Sequence, residues 1–171
     1  MDTHLMIDTE TAGQCANAAP LAIAAKRFTE DKMGTDFFVT VDLSSALGLG
    51  LQYEESILSW WLRQDTYPSI RHKTTPLPEA LSSLAQFYDD DRSIWARGTD
   101  FDIGLVLRPA FEAANIEVPW KYSHVRDLRT LAGNRPEHSN HHPLQDCEHQ
   151  ISQLQTAWGL RDGLYEQTMP A

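Results

Sequence analysis

The stretch HLMIDTET, residues 4–11, begins as an apolar run and ends on two carboxylates one residue apart. His4-Leu5-Met6-Ile7 reads as the start of a buried strand. Side chains at i and i+2 of a strand point to the same face. Asp8 and Glu10 are therefore delivered side by side at or just past the strand's end. Two like charges held that close repel, and the pKa of one must rise. A divalent cation relieves the repulsion, and hard cations such as Mg2+ or Mn2+ take carboxylate oxygens. Taken singly, a D-x-E more often marks a strand that ends with both acids in water, so the rest of the chain has to decide.

The length, 171 residues, suits one domain. We expect a single domain over 1–171, with its core in 4–158 and a flexible tail over 161–171. At 42% hydrophobic and 9% aromatic, the composition supplies a real core and speaks against disorder. No apolar run approaches the ~20 residues of a membrane span. The start, MDTHLMID, lacks the basic and long apolar stretches of a signal peptide. Cys15 and Cys147 lie far apart with no C-x-x-C, which fits a reducing cytoplasm and gives no zinc signature. The expected location is the cytoplasm, with no membrane partner. A net charge of −10 argues against a protein that coats nucleic acid. It leaves room for an enzyme that grips one strand end, and bound cations would offset several acids there.

Further along, LAIAAKRF (21–28) and DFFVTVDL (36–43) read as a second and third strand, which suggests an antiparallel meander. LSSALGLGLQ (43–52) reads as a loop or short turn. EESILSWWLRQ (54–64) reads as a helix with Ile57, Trp60 and Trp61 toward the core. RHKTTPLP (71–78) is a loop with a basic start. PEALSSLAQFYDD (78–90) is a helix with Pro78 in its first turn and Leu81, Leu84, Ala85 and Tyr88 on one face. SIWARG (93–98) is a short strand. DFDIGLVLRPAFEAANI (100–116) reads as a helix that buries Phe101, Leu105 and Phe111, with a kink or break at Pro109. SHVRDLRTLAG (123–133) reads as another short helix, stopped by Gly133 and Pro136. HPLQDCEHQISQLQTAWGL (142–160) is the last helix, capped by Gly159. The order predicts an α/β layered domain with a mixed sheet whose faces are covered by helices.

Three more candidate groups appear. Asp100 and Asp102 lie at a strand-to-helix junction, where one or both would serve equally well as helix caps or first-turn acids. In HHPLQDCEHQ (141–150), His141 precedes the last helix and Asp146 faces inward one turn into it. The cluster His138, His141, His142 and His149 is also compatible with ordinary surface histidines. Asp8, Glu10, Asp102 and Asp146 together form a set of acids able to hold two cations ~3.5–4 Å apart, the arrangement of in-line displacement at phosphorus.

Asp8-Thr9-Glu10, then Phe101-Asp102, then His141 to Asp146, resemble the ordered pattern of the DEDDh-type 3′–5′ exonucleases, which have a ribonuclease-H-like fold. Three further stretches, ILSWWLRQ (57–64), WARGTDFD (95–102) and VRDLRTL (125–131), are similar to a branch that includes phage exodeoxyribonucleases and a mycobacterial exoribonuclease. The resemblance covers residues 4–157. Relatives often carry Asn where Arg97 and Ile103 stand here, and both positions flank the proposed site.

The resemblance implies antiparallel first strands followed by parallel ones. It implies two Mg2+ or Mn2+ ions, with Asp8 bridging them, Glu10 and Asp146 completing the tighter site, and Asp102 holding the second. His141 would be the general base, since an imidazole ordinarily titrates near neutrality. The partner is nucleic acid with a free 3′ end, and the product a 5′-mononucleotide. The phage branch tilts the expected substrate toward DNA over RNA. Thr9, Thr11, Trp61, Arg97, Arg126 and Arg129 are the expected substrate contacts. Trp60, Trp61 and Trp95 are candidates for stacking the last base, against core packing. Arg126 and Arg129 are candidates for phosphate contact, against pairing with Asp127. Arg71 and Lys73 are candidates to touch the strand. A homodimer is expected by family analogy. The rival reading is a catalytically dead nuclease-like module that only binds. A zinc hydrolase built on the histidines lacks an H-E-x-x-H or a Cys/His pair.

Overall fold

The computed structural model describes residues 3–88, 93–133 and 141–168, with side chains placed as far as residue 159. Five strands form one sheet: β1 (His4–Thr11), β2 (Pro20–Phe28), β3 (Met33–Thr40), β4 (Ser93–Ala96) and β5 (Val125–Asp127), in the order β3-β2-β1-β4-β5. β1 pairs antiparallel with β2, and β2 with β3; β4 and β5 add in parallel. The meander followed by parallel strands is the expected mixed sheet.

Alternation along β1 divides the core. Leu5 and Ile7 join the larger cluster, which is closed by α4 (Leu77–Phe87), α5 (Arg108–Ala113) and α2 (Glu55–Trp61). Met6 joins Ala24, Phe28 and Trp95 on the opposite face, under Cys147, Ile151, Leu154 and Trp158 of α7 (Pro143–Thr168). These four α7 residues recur at the 3–4 spacing of one helical face.

Several elements differ from the sequence-based expectation, each for a local reason. β1 does not stop before its acids but carries them, running on to Thr11. Residues 43–48, expected as a loop, form a short helix, α1 (Leu43–Gly48). Its N-cap is Asp42, whose carboxylate accepts from the Ser44 N–H at 3.0 Å. Tyr67–Ile70 forms a further one-turn helix, α3. Val125–Asp127, expected as helix, is a strand. Its three residues gain backbone partners on β4 that no local pattern announces, and only Arg129–Ala132 is helical, as α6. Gly133 ends that turn with φ of +71°, as expected, while Pro136 lies outside the described residues. Gly159 does not cap α7. It is helical, and a glycine ends a helix only where the chain turns left-handed; otherwise it costs about 1 kcal/mol relative to alanine.

The segment Asp100–Leu107 is wound as a π-helix and becomes α-helical at Arg108. Pro109 explains the change. It has no N–H to give the carbonyl four residues back, and its ring would clash with it. That carbonyl belongs to Leu105 and instead accepts from the Asn17 N–H at 3.0 Å. The wider winding also moves Leu105 out to 39% exposure, against the expected burial, while Phe111 is fully buried. Among the described residues no helix is long and apolar enough to cross a membrane.

Ile151→Ala should cost about 2–5 kcal/mol, because it empties space at the sheet face. Leu105→Ser should fall within about 0.5 kcal/mol of wild type. Urea unfolding followed by circular dichroism checks both.

Candidate active site

Asp8 and Glu10 sit in the middle of the sheet, on the β1 face that α7 covers. β4 pairs with β1 only from His4 to Met6, so beyond that point one edge of β1 has no strand beside it. The Thr9 N–H on this open edge finds Asp102 instead, 3.1 Å from Oδ1, and the Thr9 hydroxyl donates to the same oxygen at 2.6 Å. Thr9 thus holds the Asp102 carboxylate beside Asp8. From the other side, the first two turns of α7 bring Asp146 and Gln150, one turn apart. The Gln150 amide donates to Asp8 Oδ1 at 2.9 Å.

One oxygen each of Asp8, Glu10 and Asp146 lies within 4.8 Å of the others. Asp102 is outside this trio but borders the same cleft of about 290 Å³, together with His141, Arg97, Gly98 and Phe101. Burial, then the charges of Asp102, Glu10 and Asp146, push the Asp8 carboxyl well above the usual carboxylate range, against the Gln150 hydrogen bond. Burial, then Asp146 and Asp102, push Glu10 up to about 8. Burial raises Asp102 to about 6 in spite of its Thr9 hydrogen bonds. Buried, mutually repelling hard oxygen donors are the donor set that a divalent cation suits. The five residues Asp8, Glu10, Asp102, Asp146 and His141 therefore meet in one place, and the carboxylates fit a metal.

His141 stands just before α7 with φ of +57°, a left-handed conformation uncommon for a side-chain-bearing residue. Its ring meets Trp60 edge-on at 4.7 Å and Trp61 at 5.9 Å. Beside the acidic cleft opens a second pocket of about 350 Å³, lined by Ile57, Trp60, Trp61, Gln14 and Thr11. Thr9, Glu10, Phe101 and His141 line both. Trp61 is nevertheless a core residue, 1% exposed, whose Nε1–H donates to the Thr11 carbonyl at 2.8 Å. Thr11 donates its hydroxyl to the Gly13 carbonyl.

The other expected contacts fare differently. Arg97 borders the cleft and donates to Gln153 Oε1 at 2.8 Å. Arg129 is clamped on Asp127 and Asp100, with its Nη2 at 2.6 and 2.8 Å. Arg126 donates to the Ser123 and Val125 carbonyls. Neither arginine lines the cleft or the side pocket. Trp95 is buried against Trp158 and His4 on the far part of the sheet. Ile103 is buried in the core. His142 stacks on Phe38, His149 meets Gln153, and His138 lies outside the described residues. Sequence reasoning did not single out Gln150, although its spacing of four from Asp146 on one helix was a usable signal. Nor did it assign Gln14 or Ile57 to the pocket, and no pattern marks them.

A family model described as a 3′–5′ exoribonuclease Rv2179c-like domain matches residues 3–158. The chain belongs to this family. It is thus a 3′–5′ exonuclease domain by family. Solved structures agree on the fold. Escherichia coli Exonuclease I with a dT13 oligonucleotide matches at a TM-score of 0.75 and 16% identity, over 98% of this chain and 43% of that one. The zinc-bound Exonuclease I–ssDNA complex from the same organism matches at 0.75 and 17%, over 98% and 42%. Cell-death related nuclease 4 (CRN-4) matches at 0.67 and 12%, over 94% and 64%. The chain spans less than half the length of Exonuclease I. No curated protein sequence matches it. The sheet order and its flanking helices make the family's fold here the ribonuclease-H-like one.

Glu10 and Asp102 keep their protons to higher pH folded than unfolded, so unfolding releases protons above the ordinary carboxylate range. Without metal, stability should therefore fall as pH rises from about 4 to about 8. Mg2+ or Mn2+ at 100 times its Kd at pH 8 should restore about 2.7 kcal/mol, or about 5–10 °C in Tm, and the same concentration should restore less at pH 5, where protons compete for the carboxylates. Thermal melts in chelator and in each metal check this.

Proposed function

We propose that the chain is a single exonuclease domain that removes 5′-mononucleotides from the 3′ end of single-stranded nucleic acid, using two divalent cations and a histidine base. The observation that carries this reading is the convergence of four acids and His141, from β1, the π-wound segment, α7 and the loop before it, on one cleft that opens into an aromatic pocket. The family's description names RNA, and it matches residues 3–158, so RNA is the substrate we take first. DNA, expected from the sequence, is the second reading, favoured by the oligonucleotides held in the Exonuclease I structures.

Asp8, Glu10 and Asp146 would hold one cation, Asp8 and Asp102 the other, both Mg2+ or Mn2+. When bound, the ions supply positive charge to the attacking water and to the phosphate undergoing displacement. The side pocket takes the terminal base against Trp60 and Phe101, and stacking of this kind is tolerant of sequence. That places the last phosphodiester over the acids. His141, steadied by its perpendicular ring contacts with Trp60 and Trp61, accepts the proton of the attacking water. The new bond forms from water oxygen to phosphorus, the bond from phosphorus to the 3′ oxygen of the shortened strand breaks, and that oxygen takes a proton from solvent to become the new 3′ hydroxyl. Thr9 and Gln150 keep Asp102 and Asp8 oriented. All of these groups come from one chain, so a homodimer is not needed to complete the site.

Digestion of 3′- and 5′-labelled single-stranded RNA and DNA with Mg2+, Mn2+ or EDTA tests the reading. Mononucleotides should leave the 3′ end only with metal. His141→Ala should lower kcat by about 10²–10⁴, and Asp8→Asn should abolish cleavage. If wild type cleaves neither polymer under any metal but binds oligonucleotide, the chain is a nuclease-like binding module instead.

A further inference from the structure

Among the described residues a further cavity opens outside the site just described. It encloses about 500 Å³ and is lined by Leu62, Gln64, Tyr67, Pro68, Arg71 and His72. We propose that it is the path of the polynucleotide strand upstream of the scissile bond, a few nucleotides from the 3′ end. The proposal rests on the exonuclease reading and adds where a chain of net charge −10 grips a polyanion.

Continuity is the first argument. From His141, ring contacts run through the buried Trp61 to the groove: His141 to Trp61 at 5.9 Å, Trp61 stacked on the half-buried Tyr67 at 6.1 Å, and the Arg71 guanidinium 5.9 Å from the centre of the Tyr67 ring, so Tyr67 of the groove backs onto Trp61 of the base pocket. A strand whose last base fills the pocket beside Trp60 and Trp61 would leave it past this edge. Aromatic faces flanked by cations are how proteins hold single strands without reading their sequence. Leu62, 67% exposed, adds an apolar surface that the fold itself does not cover.

Charge is the second. Arg71, His72 and Lys73 are consecutive and exposed. Among the described residues no carboxylate pairs with Arg71 or Lys73, whereas Lys26 and Arg129 are each held by two acids. The third argument is rigidity. The Thr40 hydroxyl donates to the carbonyls of His72 and Lys73, at 3.0 and 3.3 Å, and the Thr75 N–H donates to the Thr40 carbonyl at 2.8 Å. Lys73 is held with φ of +53°, a conformation that a side-chain-bearing residue keeps only when its surroundings impose it. The end of β3 thus fixes a turn that points three basic side chains outward. An acidic peptide would also satisfy the cations, but it would make no use of a groove set one ring beyond the pocket for the terminal base.

The test compares wild type with Arg71→Glu and Lys73→Glu, exposed positions whose replacement leaves the core intact. Substrates are a dinucleotide, too short to reach the groove, and a strand of about twelve nucleotides. The gain in kcat/KM from the short to the long substrate should shrink at least fivefold in R71E. The slope of log KM against log salt should become shallower by about 0.7, the value of one phosphate contact on a single strand. Anisotropy of a labelled twelve-nucleotide strand in EDTA should show at least fivefold weaker binding. If both variants keep the wild-type length gain, salt slope and affinity, the strand path is overturned while the exonuclease reading stands. If wild type binds the strand through Arg71 but cleaves nothing, the exonuclease reading fails and the strand path survives.

Discussion

The contact between one face of β1 and the first turns of α7 is the constraint on which the rest depends. Met6 on that face packs beneath Cys147 and Ile151, and the same alternation that sends Met6 there sends Asp8 and Glu10 there too. The same helical spacing that turns Cys147 and Ile151 toward the sheet turns Asp146 and Gln150 toward the acids. Apolar burial, at roughly 25 cal/mol per Å², pulls the two elements together. The carboxylates are carried into contact by an interaction that does not involve them. Their repulsion is a cost the hydrophobic contact outweighs, and the chain keeps it where a cation can turn it into affinity.

The site's open side has an equally plain origin. β4 accompanies β1 for only three residues before the chain leaves the sheet. A buried backbone N–H left without a strand partner is costly, so the one at Thr9 requires an acceptor. Asp102 supplies it. A carboxylate recruited to satisfy the end of a ladder is thereby set beside Asp8, and the π-wound segment that begins at Asp100 gives the wider turn on which it sits. Pro109 removes the Leu105 carbonyl's helical partner, and Asn17, in the loop after β1, takes its place. The catalytic strand, the loop behind it and the Asp102 segment are thus tied together by groups that regular structure leaves over.

This explains which parts were legible in the sequence. Asp8 with Glu10, Phe101-Asp102 and His141 with Asp146 are short-range patterns, each set by the residue types the chemistry demands. The apolar runs of β1 and β2 and the 3–4 patterns of α4 and α7 are local as well. What escaped was decided at a distance. Val125–Asp127 is a strand only because β4 offers it an edge. Leu105 is exposed because of a proline four residues later. Arg129 is spoken for because Asp127 and Asp100 converge on it. Gly159 sits in a helix that continues because nothing there turns the chain left-handed. Trp95, which looked like a base-stacking candidate, is used up by the packing of Trp158 and His4.

The charge of the molecule then reads differently from its total. The chain carries ten more acids than lysines and arginines, and four of its carboxylates stand in the cleft, where dications, once bound, would reverse the local sign. Lys26 and Arg129 are paired with acids of the fold, while among the described residues no carboxylate pairs with Arg71 or Lys73, on a fixed turn beyond the tryptophans. On the proposed strand path a polyanion would meet these two cations before the cleft, a local field on an otherwise acidic chain. Field of this shape aligns a strand more than it binds it, and alignment is what a site acting on one end needs. A uniformly basic surface would hold strands tightly along their length and present ends rarely. On the proposed path, an acidic chain with a local basic approach would give up general affinity and keep the orientation that brings a 3′ terminus to the cleft.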